Sequence, residues 1–96
     1  MLTSKQRSAL KALANKIDPI FQLGKAGITE NFLKQISDAL EARELIKVSV
    51  LKNSPLRPKE AIGQIAEAIG AEPVCAMGSR MIIYRRSQTK AEHIEF

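Results

Sequence analysis

The sequence predicts a single α/β domain whose elements run α-β-α-β-α-β-β, a four-stranded mixed sheet packed with three helices. Three observations predict it. Ninety-six residues, 45% of them hydrophobic, suffice for one core and are too few for two. Three stretches carry apolar residues at helical spacing, with short runs rich in β-branched residues between them. The last two runs are joined only by Gly78-Ser79-Arg80, a hairpin turn, whereas the earlier strands are joined through helices and so run parallel.

Thr3 followed by Gln6 forms a capping box, and Leu10, Leu13, Ala14 and Ile17 then share one side of a helix expected over residues 5–16. Arg7 and Lys11 border that stripe on one side, Lys5 and Lys16 on the other. Asp18-Pro19 ends the helix, because the residue before proline avoids helical ψ, and residues 20–23 make a short strand. After the loop Gly24-Lys25-Ala26-Gly27, Thr29 caps a second helix with Glu30 in its first turn and Phe32, Leu33, Ile36 and Leu40 as its buried stripe. Residues 45–52 alternate, with Ile46, Val48 and Val50 inward and Lys47 and Ser49 outward, as a half-exposed strand does. Residues 53–57 form a loop, and Pro58 opens a third helix that buries Ala61, Ile62, Ile65, Ala66 and Ile69 and closes at Gly70. Residues 74–77 and 81–86 form the final hairpin. Each strand-helix-strand unit is expected to be a right-handed parallel crossover, with the hairpin adding one antiparallel strand. Strand order does not follow from the pattern. The domain is expected to occupy residues 1–86, and the polar segment 87–96 to fray as a flexible tail.

Fifteen Lys and Arg against ten Asp and Glu leave a net charge of +5, which favours polyanionic partners without selecting one. The charge is uneven. Residues 1–29 hold five basic and one acidic side chain, residues 30–72 six and seven, and residues 73–96 four and two. The lone Cys75 cannot form an internal disulfide, and a single histidine, His93, leaves no Cys/His set for zinc. No metal and no cofactor are expected, and a reducing, cytoplasmic setting fits. Lys5, Arg7 and Lys11 interrupt any early apolar segment, and no run approaches the roughly 18 apolar residues of a membrane span, so neither export nor insertion is expected.

Nucleophilic catalysis needs a nucleophile, a base and an orienting group, yet His93 lies in the segment expected to fray, leaving no ordered histidine beside Cys75 or a serine. The carboxylate pairs Asp38/Glu41 and Glu41/Glu44 stand beside Lys34, Arg43 and Lys47 on what reads as a solvated helix face. No catalytic residue and no small-molecule substrate are expected.

Gly24-Lys25-Ala26-Gly27 fits neither the phosphate loop of nucleotide hydrolases nor a dinucleotide-binding fingerprint. Two readings stay open. The glycines either permit a tight turn, or they let a sugar-phosphate chain approach the backbone while amide groups, the following helix N-terminus and Lys25 face phosphate. Arg80, Arg85 and Arg86 around the hairpin read either as a solvated edge that discourages aggregation or as more of a phosphate-tracking surface. With one tyrosine and no tryptophan, a broad aromatic platform for bases is poorly supported.

Several blocks then occur in order: Thr3-x-Lys5-Gln6-Arg7; residues 20–23 running into Gly24-Lys25-Ala26-Gly27-Ile28-Thr29-Glu30; Ala39-Leu40-Glu41-Ala42-Arg43-Glu44-Leu45-Ile46-Lys47-Val48; and Met81-Ile82-Ile83-Tyr84-Arg85. Together they resemble the YhbY-like CRM-domain family, over residues 2–86. The resemblance implies the fold of the C-terminal domain of translation initiation factor three. It further implies a non-enzymatic RNA-binding protein, whose stand-alone bacterial relatives associate with rRNA in precursor large ribosomal subunits. By position the family's GxxG loop is Gly24, Lys25, Ala26 and Gly27, and its basic surroundings match Lys5, Arg7 and Lys11. Two departures are Asn15 and Lys16 where many relatives carry histidine, and the 53–58 loop where they are often acidic. The expectation is a monomer that clamps RNA on this loop, with Lys5, Arg7, Lys11, Arg80 and Arg85 as phosphate contacts and ribosome assembly as its setting. Replacing Lys25 together with both glycines (Gly24→Asp, Gly27→Asp) is expected to weaken binding in a folded domain. The alternative is a protein-interaction module whose basic charge is incidental. A duplex-DNA binder is weaker still, since no recognition-helix spacing is present.

Overall fold

The computed structural model describes residues 2–96. In chain order the elements are α1 (Ser4–Ala14), β1 (Phe21–Leu23), α2 (Glu30–Arg43), β2 (Leu45–Val50), α3 (Pro58–Ile69), β3 (Glu72–Met77) and β4 (Arg80–Tyr84). The order and type of every element match the expectation from sequence, and the boundaries move by a few residues. The capping box closes as the residue types require: the Gln6 N–H donates to Thr3 Oγ1 at 3.1 Å and the Thr3 N–H to Gln6 Oε1 at 2.9 Å. Thr29 Oγ1 accepts from the Phe32 N–H at 3.0 Å to open α2. Pro58 begins α3, and Gly70 ends it in the left-handed conformation.

The strands lie in the order β1-β2-β4-β3. β1 pairs parallel with β2, and β4 is inserted antiparallel between β2 and β3. Hydrophobicity explains the insertion. β4 contributes Met81, Ile82, Ile83 and Tyr84, all buried, a continuous apolar run that needs cover on both faces and therefore an interior place. The edges go to strands that tolerate them. β1 has three residues, and β3 carries Pro73 and a register shift between Pro73 and Cys75.

Alternation along β2 then sorts the core into two layers. Ile46, Val48 and Val50, with Met81 and Ile83, pack under α2 and α3 against Ile36, Leu40, Ala61, Ile62 and Ile65. Leu45, Ile82, Tyr84 and Val74 pack on the other face against Leu10 and Ala14 of α1. β2 is thus more enclosed than its alternation indicates, because α1 folds over the face that Lys47 and Ser49 share. α1 covers only part of that face. The register row Gln22, Ser49, Arg80 and Met77 crosses all four strands on it, and Gln22, Arg80 and Met77 are exposed.

Candidate nucleic-acid interface

Two loops leave the sheet at the same end because β1 and β2 are parallel neighbours, and loops that follow parallel strands emerge together. The first is the 24–27 loop. Its turn is closed by the Gly27 N–H donating to the Gly24 carbonyl at 3.0 Å, and Gly27 has φ +71°, a region that residues with a Cβ enter at a cost. A Cβ on Gly27 would also stand 3.1 Å from the Pro55 ring. Gly24 differs: its φ is ordinary, and a Cβ there would meet Leu51 at 3.5 Å and Asn53 at 3.8 Å, normal contact distances. Lys25 and Ala26 between them are exposed. The tight-turn reading therefore holds at Gly27, and Gly24 leaves the rim of the loop without a side chain. The double aspartate substitution expected above to leave the domain folded instead strains it at Gly27.

The second loop, 51–57, buttresses the first. One guanidinium nitrogen of Arg57 donates to the carbonyls of Ser54 (3.0 Å), Leu51 (3.3 Å) and, more weakly, Lys52 (3.5 Å). Ser54 is buried, accepting from the Leu56 N–H at 3.2 Å and donating to the Leu56 carbonyl at 2.9 Å. This internal hydrogen bonding holds Pro55 against Gly27. The β3–β4 turn joins the same end, since the Val50 N–H donates to the Ser79 carbonyl at 2.6 Å. The N-terminus of α3 lies beside that turn, the two lining a shallow pocket from Arg57, Pro58, Lys59, Gly78 and Ser79.

This end of the sheet accordingly gathers Lys25, Lys52, Arg57, Lys59 and Arg80, all exposed, against the two first-turn carboxylates Glu30 and Glu60. Arg80, expected from sequence, joins the GxxG loop there. Lys5, Arg7 and Lys11 are carried by α1 on the same face of the sheet as Arg80, Lys5 and Arg7 exposed and Lys11 half-buried. Lys52, Arg57 and Lys59 escaped the reading from sequence. The parallel pairing of β1 with β2 was the signal that would have found them, because it makes the loop after β2 a neighbour of the loop after β1.

Arg85 is committed elsewhere. Its guanidinium is 21% exposed and donates to Ser37 Oγ at 2.9 Å, the Ser37 carbonyl at 2.7 Å and the Ile69 carbonyl at 3.0 Å, with Glu41 3.8 Å away. It ties α2 to the end of α3, and with its guanidinium mostly covered and turned towards the protein it is poorly placed for a phosphate contact.

Beside it lies the largest departure from the sequence reading. Glu44, read as part of a solvated helix face, is wholly buried and caps α2 at φ +66°. The cause is the segment expected to fray. Residues 87–96 fold back so that the N–H groups of Ser87 and Ile94 donate to the Glu44 carboxylate at 2.7 and 2.8 Å, and His93 Nδ1 pairs with it. Ser87 and Thr89 hydroxyls and the Gln88 and Thr89 N–H groups meet Glu41 in the same way, and Phe96 packs edge-on against Tyr84. Burial pushes the Glu44 carboxyl upward, but the bonds from His93, Ser87 and Ile94 outweigh it and hold the group at about 2. Two carboxylates are thereby sequestered at the end of the sheet away from the cationic loops. Among the described residues no group of three or more His, Cys, Asp or Glu side chains is placed to hold a metal ion, and no helix is long and apolar enough to cross a membrane.

Comparison with known proteins agrees with this architecture. Residues 2–85 match the CRS1 / YhbY (CRM) domain. YqeI of Bacillus subtilis, named as a probable RNA-binding protein, is 41% identical over 88 residues, spanning 92% of each chain. An RNA-binding protein of Haemophilus influenzae is 36% identical over 87 residues, 91% of this chain and 88% of that one. The solution structure of the hypothetical protein SAV1595 from Staphylococcus aureus, described as a putative RNA binding protein, superposes with a TM-score of 0.82 at 52% identity, covering 99% of this chain and 98% of the other. With the blocks, the fold and the match over nearly its whole length in agreement, the chain belongs to the CRS1 / YhbY (CRM) domain family.

Proposed function

We infer that this protein is a non-enzymatic RNA-binding protein that holds RNA backbone on the 24–27 loop and the cations around it, and that its RNA is rRNA in precursor large ribosomal subunits during assembly. The observation that carries the reading is the coincidence at one sheet end of a bare glycine backbone with Lys25, Lys52, Arg57, Lys59 and Arg80, while Glu41 and Glu44 are bound up at the other. The relatives named for RNA binding support the class of partner. Charge draws phosphates to this end, and the missing side chain at Gly24 lets a sugar-phosphate chain come close to the loop. Arg85 is left out of the interface, and Lys5, Arg7 and Lys11 extend it along α1.

Titration of an rRNA fragment tests this. With about four phosphates neutralised, log K is expected to fall against log salt with a slope of roughly −3 to −4. Lys25→Glu is expected to weaken binding severalfold and flatten the slope by about one without altering the melting temperature, because Lys25 is exposed. Unchanged affinity in that variant contradicts the reading.

A second reading, docking of an assembly partner, is favoured by one feature: a groove of about 570 Å³ at the other end of the sheet, lined by Leu13, Ile17, Ile20, Leu45 and Ile94 together with Asp18, Arg43 and Lys47. It predicts protein binding that depends on salt far less steeply than RNA binding does.

A further inference from the structure

We propose that the part of the sheet face left open by α1 receives the bases of a single-stranded RNA segment whose backbone lies on the 24–27 loop. The inference rests on the RNA reading above and goes beyond it, since that reading needs only backbone contacts. Strand alternation and register define the surface. Gln22, Ser49, Arg80 and Met77 form one row across β1, β2, β4 and β3, and Leu51 follows Ser49 on the same face, its N–H donating to the Leu23 carbonyl at 2.9 Å as β2 runs on beside β1. Gly24 is the neighbour of Leu51 and has no side chain there, so the rim of the loop is continuous with this face.

The composition of the surface fits bases. Met77 is 56% and Leu51 37% exposed, so each leaves apolar area open on this face for a base to cover. Between them stands Arg80, exposed, whose planar guanidinium stacks on bases and also attracts phosphate. Gln22 and Ser49 supply hydrogen-bond donors and acceptors for base edges. No carboxylate belongs to the row, and Lys47 stands on the same face one register step inward. Four strands at about 4.8 Å spacing span roughly 14 Å, room for two or three bases. An aromatic platform is absent, so methionine, leucine and arginine take its place.

Filter-binding titrations with the full chain test this, using three probes: an unstructured 12-nucleotide RNA, the same strand with its bases removed, and a matched RNA duplex. Wild type is expected to bind the base-bearing strand at least about fivefold more tightly than the other two. Met77→Ala and Leu51→Ala are each expected to lower affinity for that strand severalfold while leaving the abasic strand and the salt slope unchanged. The circular dichroism melt of Met77→Ala is expected to match wild type, since that side chain is mostly exposed, and Leu51→Ala, which is more covered, is titrated below its own melting temperature. Equal binding of base-bearing and abasic strands overturns the base platform and leaves backbone binding intact. Failure of wild type to bind any of the three overturns the base platform, and failure to bind the rRNA fragment as well overturns the RNA reading with it.

Discussion

At Gly27 the backbone stands at φ +71° with the Pro55 ring 3.1 Å from where a methyl would sit, and at Gly24 neither constraint applies. Gly27→Ala is therefore expected to lower stability by about 1–2 kcal/mol in urea unfolding, the cost of left-handed backbone for a residue with a Cβ plus the contact with Pro55. Gly24→Ala is expected to melt like wild type and to affect only RNA affinity. Glu44 provides the second test at this scale. Its carboxyl is held at about 2, below the ordinary 4.5, so ionisation stabilises the fold above pH 4.5 and that contribution is lost as pH falls towards 2. Glu44→Gln is expected to be less stable than wild type at pH 7, with the gap shrinking between pH 4.5 and 2 in urea unfolding curves. A gap that stays constant over that window contradicts the assignment.

Among the elements, α1 depends on its surroundings most. It is the one helix on its face among the described residues, its buried side chains are Leu10 and Ala14, and Leu13 is left exposed. Short helices are marginal by themselves, so the capping box matters here more than it would in α3, which buries five residues. Thr3→Ala is expected to cost about 1 kcal/mol in urea unfolding. The wheel placed its stripe correctly because apolar spacing is local information. It could not show that α1 stops short of the row holding Gln22, Ser49, Arg80 and Met77, which depends on where β4 and β3 lie.

On the scale of the whole molecule, the sheet separates two sets of charges by its ends. Cations and bare glycine backbone collect where β1 and β2 finish, and the carboxylates Glu41 and Glu44 are satisfied by residues 87–96 where α2 finishes. Removing residues 87–96 strips the Glu44 carboxylate of its two backbone donors and His93, and is expected to lower stability by about 2–4 kcal/mol. Thermal unfolding checks the loss, and rRNA affinity below the melting temperature is expected to be unchanged because the loops lie elsewhere.

The sequence by itself determined the order and type of the seven elements, the caps at Thr3, Thr29 and Gly70, and the GxxG loop as the first candidate. Each follows from spacing or from the chemistry of a single residue with its near neighbours. Tertiary structure alone decided the central place of β4, the diversion of Arg85 to Ser37 and Ile69, the union of the 51–57 loop with the 24–27 loop, and the burial of Glu44 by residues more than forty positions away. The division has a physical cause. Helix and turn preferences act over a few bonds, whereas a charge is solvated or paired according to what the fold brings to it. A helix running straight into a strand at Arg43-Glu44-Leu45, with no glycine to take the positive φ, was the one local sign that Glu44 is held from outside.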